Sequence, residues 1–216
     1  RRLDESIAIK TGRVEGVASG ESEGFGVRVL VDGAWGFAAS HRLTNGEADR
    51  VAAQLNEFIN YSRPREIRRS AVALNSVVNE VVRALTFDIE EKAIRLLVPD
   101  DLPRIEADEP LLRQVLFNLL LNAIQAVNRH GQIQVVASKQ NAHDAVLEIR
   151  DNGPGVPAEH RRDIFKPYFT THQKGTGLGL AVVQQIVLAH GWEIECLPHE
   201  PQGAVFRLAH LRLATA

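Results

Sequence analysis

Apolar and polar positions follow two different periods along the chain. In the first part, residues 6–10 and 25–31 alternate between apolar and other positions, which is the pattern of half-buried β-strands. Asp32-Gly33, directly after the second run, is a typical turn sequence of β-hairpins. We therefore predict that residues 1–46 form a small, strand-rich segment.

Beyond that segment, apolar residues recur every three or four positions, as they do on the buried face of a helix. This spacing predicts one helix over residues 47–61 and a second from residue 74 to about residue 92. Pro64 ends the first helix, because the residue before a proline is driven towards extended conformations. Residues 66–69, between the two helices, are predicted as a short strand.

The third predicted helix has the clearest pattern. Asp108 is a typical N-cap, and Pro110 follows at an early position where a missing N–H costs nothing. His130-Gly131 is predicted to mark its end. Its apolar side chains form a broad stripe for burial, made by Leu111, Leu112, Val115, Leu116, Leu119, Leu120, Ala123 and Ile124.

Shorter apolar runs complete the pattern. We predict paired strands over residues 133–138 and 145–150, a helix over 178–190, and closing strands over 193–196 and 204–211. Helices packed on one face of a mixed sheet give an α+β fold with two layers.

Composition and charge exclude several classes of protein. The chain has 216 residues, 44% of them hydrophobic, and a formal net charge of −2, so no nucleic-acid partner is expected. No run approaches the roughly 18 apolar residues of a membrane-spanning helix, and we expect no membrane contact. The single cysteine, Cys196, allows no internal disulfide, which favours a reducing compartment and a cytoplasmic location.

Two asparagines interrupt the apolar stripe of the third helix. Asn118 and Asn122 are four residues apart and therefore share one helix face. A buried carboxamide without a hydrogen-bond partner costs roughly 1–3 kcal/mol, so the pair suggests a polar ligand or a hydrated metal ion. Exposed or locally bonded asparagines are an equally good interpretation of this helix alone.

A glycine-rich loop follows the second of the paired strands. It begins at Asp151 and contains Gly153 and Gly155, which permit a tight turn and a close approach of a ligand to the backbone. A carboxylate at the start of such a turn can accept a hydrogen bond from an exocyclic amine, such as that of adenine. Alone, the sequence is more typical of an ordinary turn.

A second glycine-rich loop runs from Lys174 into the predicted helix over 178–190. Gly175, Gly177 and Gly179 expose backbone N–H groups beside a helix N-terminus, where negative charge is favoured. This arrangement suits phosphate groups, although its spacing is not that of a Walker loop. One such loop is a weak signal, but three elements in this order are a much stronger one.

Taken together, these residues resemble the ATP-binding fold shared by gyrase, Hsp90, histidine kinases and MutL. The resembling motifs are the N box at residues 118–126, the G1 box at 151–155, the F box at 164–171 and the G2 box at 175–180. The resemblance covers about residues 54–213. It implies a two-layer sandwich of the histidine-kinase ATP-binding (Bergerat) type, also called GHKL.

The resemblance also implies ATP and Mg²⁺ as cofactors. Asn122 would bind the Mg²⁺ that bridges the triphosphate, with Asn118 alongside as a second catalytic residue. Asp151 would read the adenine amino group, helped by Gly153 and Gly155. The other implied nucleotide-binding residues are the lid anchors Phe165 and Phe169 and the second loop, with Lys174, Gly175, Thr176, Gly177, Leu178 and Gly179. Of these, Lys174 is better interpreted as a solvated lid lysine than as a phosphate ligand.

Position 118 distinguishes the branches of this superfamily. Members that hydrolyse ATP place a glutamate four residues before the metal-binding asparagine, where it acts as a general base. An amide cannot accept a proton, so Asn118 favours the histidine-kinase branch, in which phosphoryl transfer depends on positioning and metal electrostatics. The resemblance therefore implies transfer of the γ-phosphoryl group to a histidine.

No acceptor histidine is evident in the sequence. Residues 47–65 resemble the second helix of the dimerisation and phosphoacceptor hairpin, but the first helix is missing. His41 is followed by Arg42, where the family has an acidic residue, and it lies too near that helix for a hairpin. We therefore expect no autophosphorylation in cis. Expected partners are an acceptor helix in trans and a response regulator, with a homodimer through residues 47–65 as an option.

Residues 5–14 and 24–38 look like parts of the N-terminal region of TldD/PmbA-type proteins, which are metalloprotease-like, and this resemblance covers residues 1 to about 53. The His-Glu-x-x-x-His motif of that family is absent from the sequence, so protease activity is not implied. The chain thus resembles a chimera. Alternatives to the kinase are a non-catalytic, nucleotide-gated binding module and, less favoured, a TldD/PmbA-type protease fragment. The predicted division is a strand-rich segment (1–46), a helix (47–65) and an ATP-binding kinase domain (66–213).

Overall fold

The structure is a computed structural model that divides into two units, Arg1–Arg65 and Glu66–Ala216. We describe each unit by itself. The described residues are 3–10, 13–21, 24–31, 34–40, 67–170 and 177–214. The predicted helix over residues 47–61, with Pro64 and the candidate His41, lies outside these ranges.

The first unit contains a four-stranded sheet. Its strands are β1 (Leu3–Lys10), β2 (Arg13–Glu21), β3 (Gly24–Val31) and β4 (Ala34–Ser40), in the order β2-β1-β3-β4. β1 pairs antiparallel with β2 and parallel with β3, and β3 pairs antiparallel with β4. The two alternating runs of the sequence are therefore strands. β2 was not predicted, because glycines within it weaken the alternation of its side chains.

The second unit is a two-layer α+β sandwich, which confirms the predicted fold class. Its elements are β5 (Ser70–Ala73), α1 (Leu74–Ala84), α2 (Thr86–Glu91), β6 (Arg95–Leu97), β7 (Arg104–Ala107), α3 (Glu109–Ala126), β8 (Gln132–Lys139), β9 (Asp144–Asp151), a 3-10 turn (Asp163–Phe165), α4 (Gly179–His190), β10 (Glu193–Pro198) and β11 (Ala204–Arg212). The main sheet has the order β10-β11-β9-β8-β6, and β5 pairs with β7. Only the β6–β8 pairing of the main sheet is parallel among the described strands.

Helix α3 lies at the centre of this unit, in contact with α1, α4 and strand β9. All eight apolar residues of its predicted stripe are buried, and Leu112, Leu116 and Leu119 have no exposed surface. The side chain of Asp108 accepts the N–H of Leu111, as expected of an N-cap. Because α3 is held on all these sides, the polar face that it turns towards the loops has a fixed position.

The second predicted helix is interrupted. Leu85 separates α1 from α2, with φ −101° and ψ 8°, and its N–H is shared by the carbonyls of Val81 and Val82. The side chain of Leu85 is buried at this turn, with 2% of its surface exposed. The apolar spacing continued through the break, so the pattern could not show it.

The structure differs from the prediction in three other places. Residues 67–69 are not a strand, and pairing instead begins at Ser70. Strand β7 was not predicted, because four residues are too few to show alternation. Helix α3 ends at Ala126, before His130, since Val127 is already extended and the Lys92 ammonium donates to the carbonyls of Ile124 and Val127.

Candidate nucleotide-binding site

Asp151 ends strand β9 and is 2% exposed. Its Oδ1 accepts the N–H of Gly153 at 2.9 Å and that of Ala204 at 3.4 Å. Burial raises the pKa of this carboxyl above its ordinary value, while these two N–H groups and nearby His199 oppose the shift. The fold therefore holds a carboxylate in a place where its charge is costly, which is typical of functional sites.

The two glycines of the first loop are required by close packing. A Cβ at Gly153 would lie 2.9 Å from the Asp151 carboxylate and 3.0 Å from the carbonyl oxygen of Ala126. Gly155 has φ +77°, and a Cβ there would lie 2.7 Å from the carbonyl oxygen of Gly203. The loop thus packs closely between the end of α3 and the turn that joins β10 to β11.

The β10–β11 turn is a part of the site that was not predicted from the sequence. Gly203 has φ +129°, and a Cβ at this position would lie 1.8 Å from the carbonyl oxygen of Asp151. His199 holds the same oxygen through its Nδ1 at 2.7 Å. The closing strands over residues 193–196 and 204–211 were predicted, but nothing in the sequence placed the turn between them against Asp151.

The two asparagines of α3 are half-buried and lie on one face, as predicted. Asn118 donates its amide to the carbonyl of Gln114 at 2.9 Å, and a Cβ at Gly179 would lie 3.0 Å from its Oδ1. The side chain of Asn122 makes no hydrogen bond to any residue of the described ranges. One amide therefore faces the start of α4, and the other is available to a ligand.

The second glycine-rich loop is described only from Gly177 onward. Gly177 has φ +66°, accepts the N–H of Tyr168 at 2.9 Å, and leaves no room for a side chain, since a Cβ would lie 2.5 Å from the Tyr168 carbonyl carbon. Leu178 is buried, and Gly179 begins α4, whose first N–H groups favour an anion. Three predicted residues, Lys174, Gly175 and Thr176, lie outside the described ranges.

The two aromatic residues predicted to anchor a lid lie between the glycine loops. Phe165 is buried and meets Phe206 edge-on, with ring centroids 6.4 Å apart. Phe169 is half-buried, and its ring lies 5.5 Å from that of His160. The described part of the segment between the loops therefore contacts strand β11 through Phe165, and Phe169 packs against His160 of the same segment.

The predicted site residues thus form two groups. Asp151, Gly153 and Gly155 meet the β10–β11 turn, and Asn118 meets the start of α4. Within the described part of the chain, no group of three or more histidine, cysteine, aspartate or glutamate side chains could hold a metal ion. No described helix is both long and apolar enough to cross a membrane.

Residues 107–215 match the family of histidine kinase-, DNA gyrase B- and HSP90-like ATPases. The chain belongs to this family. Sensor histidine kinase ZraS of Escherichia coli (strain K12) is 42% identical over 164 residues, which are 75% of this chain and 35% of ZraS. The resemblance to a sensor histidine kinase catalytic domain is thereby confirmed. The chain spans about a third of the length of such relatives.

Solved structures agree with this assignment. Full-length ShkA in complex with AMPPNP has a TM-score of 0.68 and 27% identity, over 81% of this chain and 41% of ShkA. Histidine kinase ThkA in complex with the response regulator TrrA has a TM-score of 0.66 and 29% identity, over 78% of this chain and 49% of that chain. Residues 1–58 match the first domain of PmbA/TldA metallopeptidases, which confirms the predicted resemblance of that segment.

Proposed function

We propose that residues 66–213 form the ATP- and Mg²⁺-binding catalytic domain of a two-component histidine kinase. It would transfer the γ-phosphoryl group of ATP to a histidine. The observation that carries this proposal is the Asp151 carboxylate, which is 2% exposed and held by two backbone N–H groups, in a chain of the histidine kinase-like ATPase family.

The first loop is the adenine end of the proposed site. Asp151 Oδ1 already accepts two N–H groups, so Oδ2 remains to accept the adenine 6-amino group. Gly153 and Gly155 leave no room for side chains in this loop, because a Cβ at Gly153 would lie 2.9 Å from Asp151 Oδ1 and one at Gly155 would lie 2.7 Å from the carbonyl oxygen of Gly203. A buried acceptor of this kind discriminates strongly against a ligand that cannot donate to it.

The asparagine face of α3 is the phosphate end. Asn122 offers an amide oxygen that has no partner among the described residues, and amide oxygen is a ligand type that Mg²⁺ accepts. The N-terminus of α4, beside Asn118, would face the phosphates, with Gly175, Thr176 and Gly177 completing the cradle. When bound, Mg²⁺ would neutralise charge on the triphosphate. Phe165 and Phe169 would anchor the lid, and Lys174 would pair with a phosphate.

The same face supports a kinase over a hydrolase. Position 118 carries an amide, which cannot take a proton from water as a glutamate would, and its nitrogen donates to the Gln114 carbonyl. Transfer would then depend on holding ATP in line with an acceptor whose own surroundings supply the base.

The acceptor in this proposal is a histidine helix supplied in trans. Residues 47–65 would be the second helix of the acceptor hairpin and a surface for dimerisation, and residues 1–46 a separate strand-rich segment. Because ThkA is solved in complex with a response regulator, we propose that such a protein takes the phosphoryl group onward. Residues 66–213 would act on the cytoplasmic side.

Incubation with γ-labelled ATP and Mg²⁺ tests these proposals. The chain alone should acquire no acid-labile label, whereas a separately supplied acceptor hairpin, such as that of ZraS, should acquire it. The Asn122→Ala variant is the control and should abolish the transfer. Acid-labile label on the chain alone would show that it contains an acceptor. Tight ATP binding without transfer to any hairpin would favour the nucleotide-gated binding module instead.

A further inference from the structure

His199 lies in the turn after β10 and is bonded to the backbone of the proposed adenine end. Its ring Nδ1 is 2.7 Å from the carbonyl oxygen of Asp151, and its backbone N–H donates to the carbonyl of Gly203 at 3.2 Å. A carbonyl oxygen can only accept, so Nδ1 carries the proton in this contact. The side chain therefore connects the β10–β11 turn to the peptide that follows Asp151.

The contact restricts a backbone that is already crowded. Gly203 packs against the same carbonyl so closely that a Cβ would lie 1.8 Å away. On the other side of the residue, Ala204 donates to the carboxylate at 3.4 Å. His199, Gly203 and Ala204 thus hold the main chain and the side chain of Asp151 from a single turn.

We propose that His199 is a positioning residue that orients the Asp151 carboxylate towards the 6-amino group of an adenine nucleotide. This inference rests on the proposed function. His199 does not touch the nucleotide in this account. It acts by fixing the Asp151 peptide, so that Oδ2 meets the amine at hydrogen-bonding distance. The expected consequence is discrimination between 6-amino and 6-oxo purines, and a purely structural role would not alter that discrimination.

Titrations with ATP and with inosine triphosphate, each with Mg²⁺, test the proposal. The His199→Ala variant loses one positioning hydrogen bond, so it should bind ATP about three- to tenfold more weakly than the parent does. Binding of inosine triphosphate should change little, because its 6-oxo group cannot donate to Asp151. The ratio of the two affinities is therefore the decisive quantity.

Two further variants separate the hydrogen bond from side-chain volume. In His199→Asn, the amide nitrogen can take the position of Nδ1 and donate the same hydrogen bond, so this variant should bind ATP nearly as tightly as the parent does. His143→Ala, which removes an exposed histidine from the β8–β9 hairpin, is the matched control and should bind both nucleotides as the parent does. An equal loss for both nucleotides, no loss at all, or an Asn variant as weak as the Ala variant would overturn the proposal.

The same titrations distinguish this inference from the function on which it rests. If the parent chain does not bind ATP with Mg²⁺, the proposed function fails. If the parent binds ATP and Asp151→Asn weakens binding, but His199→Ala does not, then the inference about His199 alone is wrong.

Discussion

The two ends of the proposed nucleotide site differ in how many hydrogen bonds the protein itself makes to their polar groups. At the adenine end, Asp151 is 2% exposed and held by hydrogen bonds to its carboxylate and to its carbonyl. At the phosphate end, Asn122 is half-buried and has no hydrogen-bond partner among the described residues. We infer that the base-binding end is formed before the ligand arrives, and that the phosphate end is completed by the ligand and its metal ion.

This difference has a consequence for stability. Changes at a preformed end should alter the free energy of unfolding without any ligand, whereas changes at an open end should alter only binding. Three substitutions test this difference, each measured on the ligand-free chain by chemical denaturation.

Gly203→Ala should have the largest effect. A Cβ would lie 1.8 Å from the Asp151 carbonyl oxygen, and φ of +129° is unfavourable for any other residue. We expect a loss of about 2–4 kcal/mol in the free energy of unfolding. Gly191→Ala is the matched control, because Gly191 also has positive φ, +71°, but its nearest neighbour is 4.0 Å away. It should lose only about 1 kcal/mol. Similar losses for both would mean that the turn does not press on Asp151.

Asp151→Asn should have a smaller effect of opposite sign. Burial raises the pKa of this carboxyl in the folded state, so the folded protein binds the proton more tightly than the unfolded chain does. This contribution to stability falls as the pH rises above the ordinary value of 3.8 and through the raised pKa. At pH 7 the neutral amide should therefore raise the free energy of unfolding, and this gain should shrink as the pH is lowered towards 4. A variant less stable than the parent at pH 7 would contradict this account.

Asn122→Ala should have the smallest effect on stability. The side chain gives up no hydrogen bond within the described residues, and alanine is the better helix former. The free energy of unfolding should stay within about 0.5 kcal/mol of the parent. Asn118→Ala gives up the bond to the Gln114 carbonyl and provides the comparison on the same face. A large loss in Asn122→Ala would show that this end, too, is held by the protein.

The sequence predicted more of the open end than of the preformed end. Asn118, Asn122 and the stripe of α3 were predictable because helical periodicity places residues four apart on one face. The partners of Asp151 were not, since His199 and Gly203 reach it across 48 and 52 residues by pairing of β9 with β11. Such contacts depend on sheet register, which local patterns do not specify.

The same reason explains where the predicted helices differ from the observed ones. The break at Leu85 is set by tertiary packing, because the side chain is buried although the helix stops. The early end of α3 depends on Lys92, whose ammonium reaches the last carbonyls from another element. In both places a contact distant in sequence overrides a regular local pattern.

Calorimetric titration with ATP, with and without Mg²⁺, tests most directly whether the two ends recognise different parts of one ligand. The parent should bind ATP more tightly when Mg²⁺ is present. Asp151→Asn should bind at least about tenfold more weakly in both conditions and keep the gain from Mg²⁺, whereas Asn122→Ala should lose that gain. An Asp151→Asn variant with the affinity of the parent, or an Asn122→Ala variant with an undiminished response to Mg²⁺, would contradict the account.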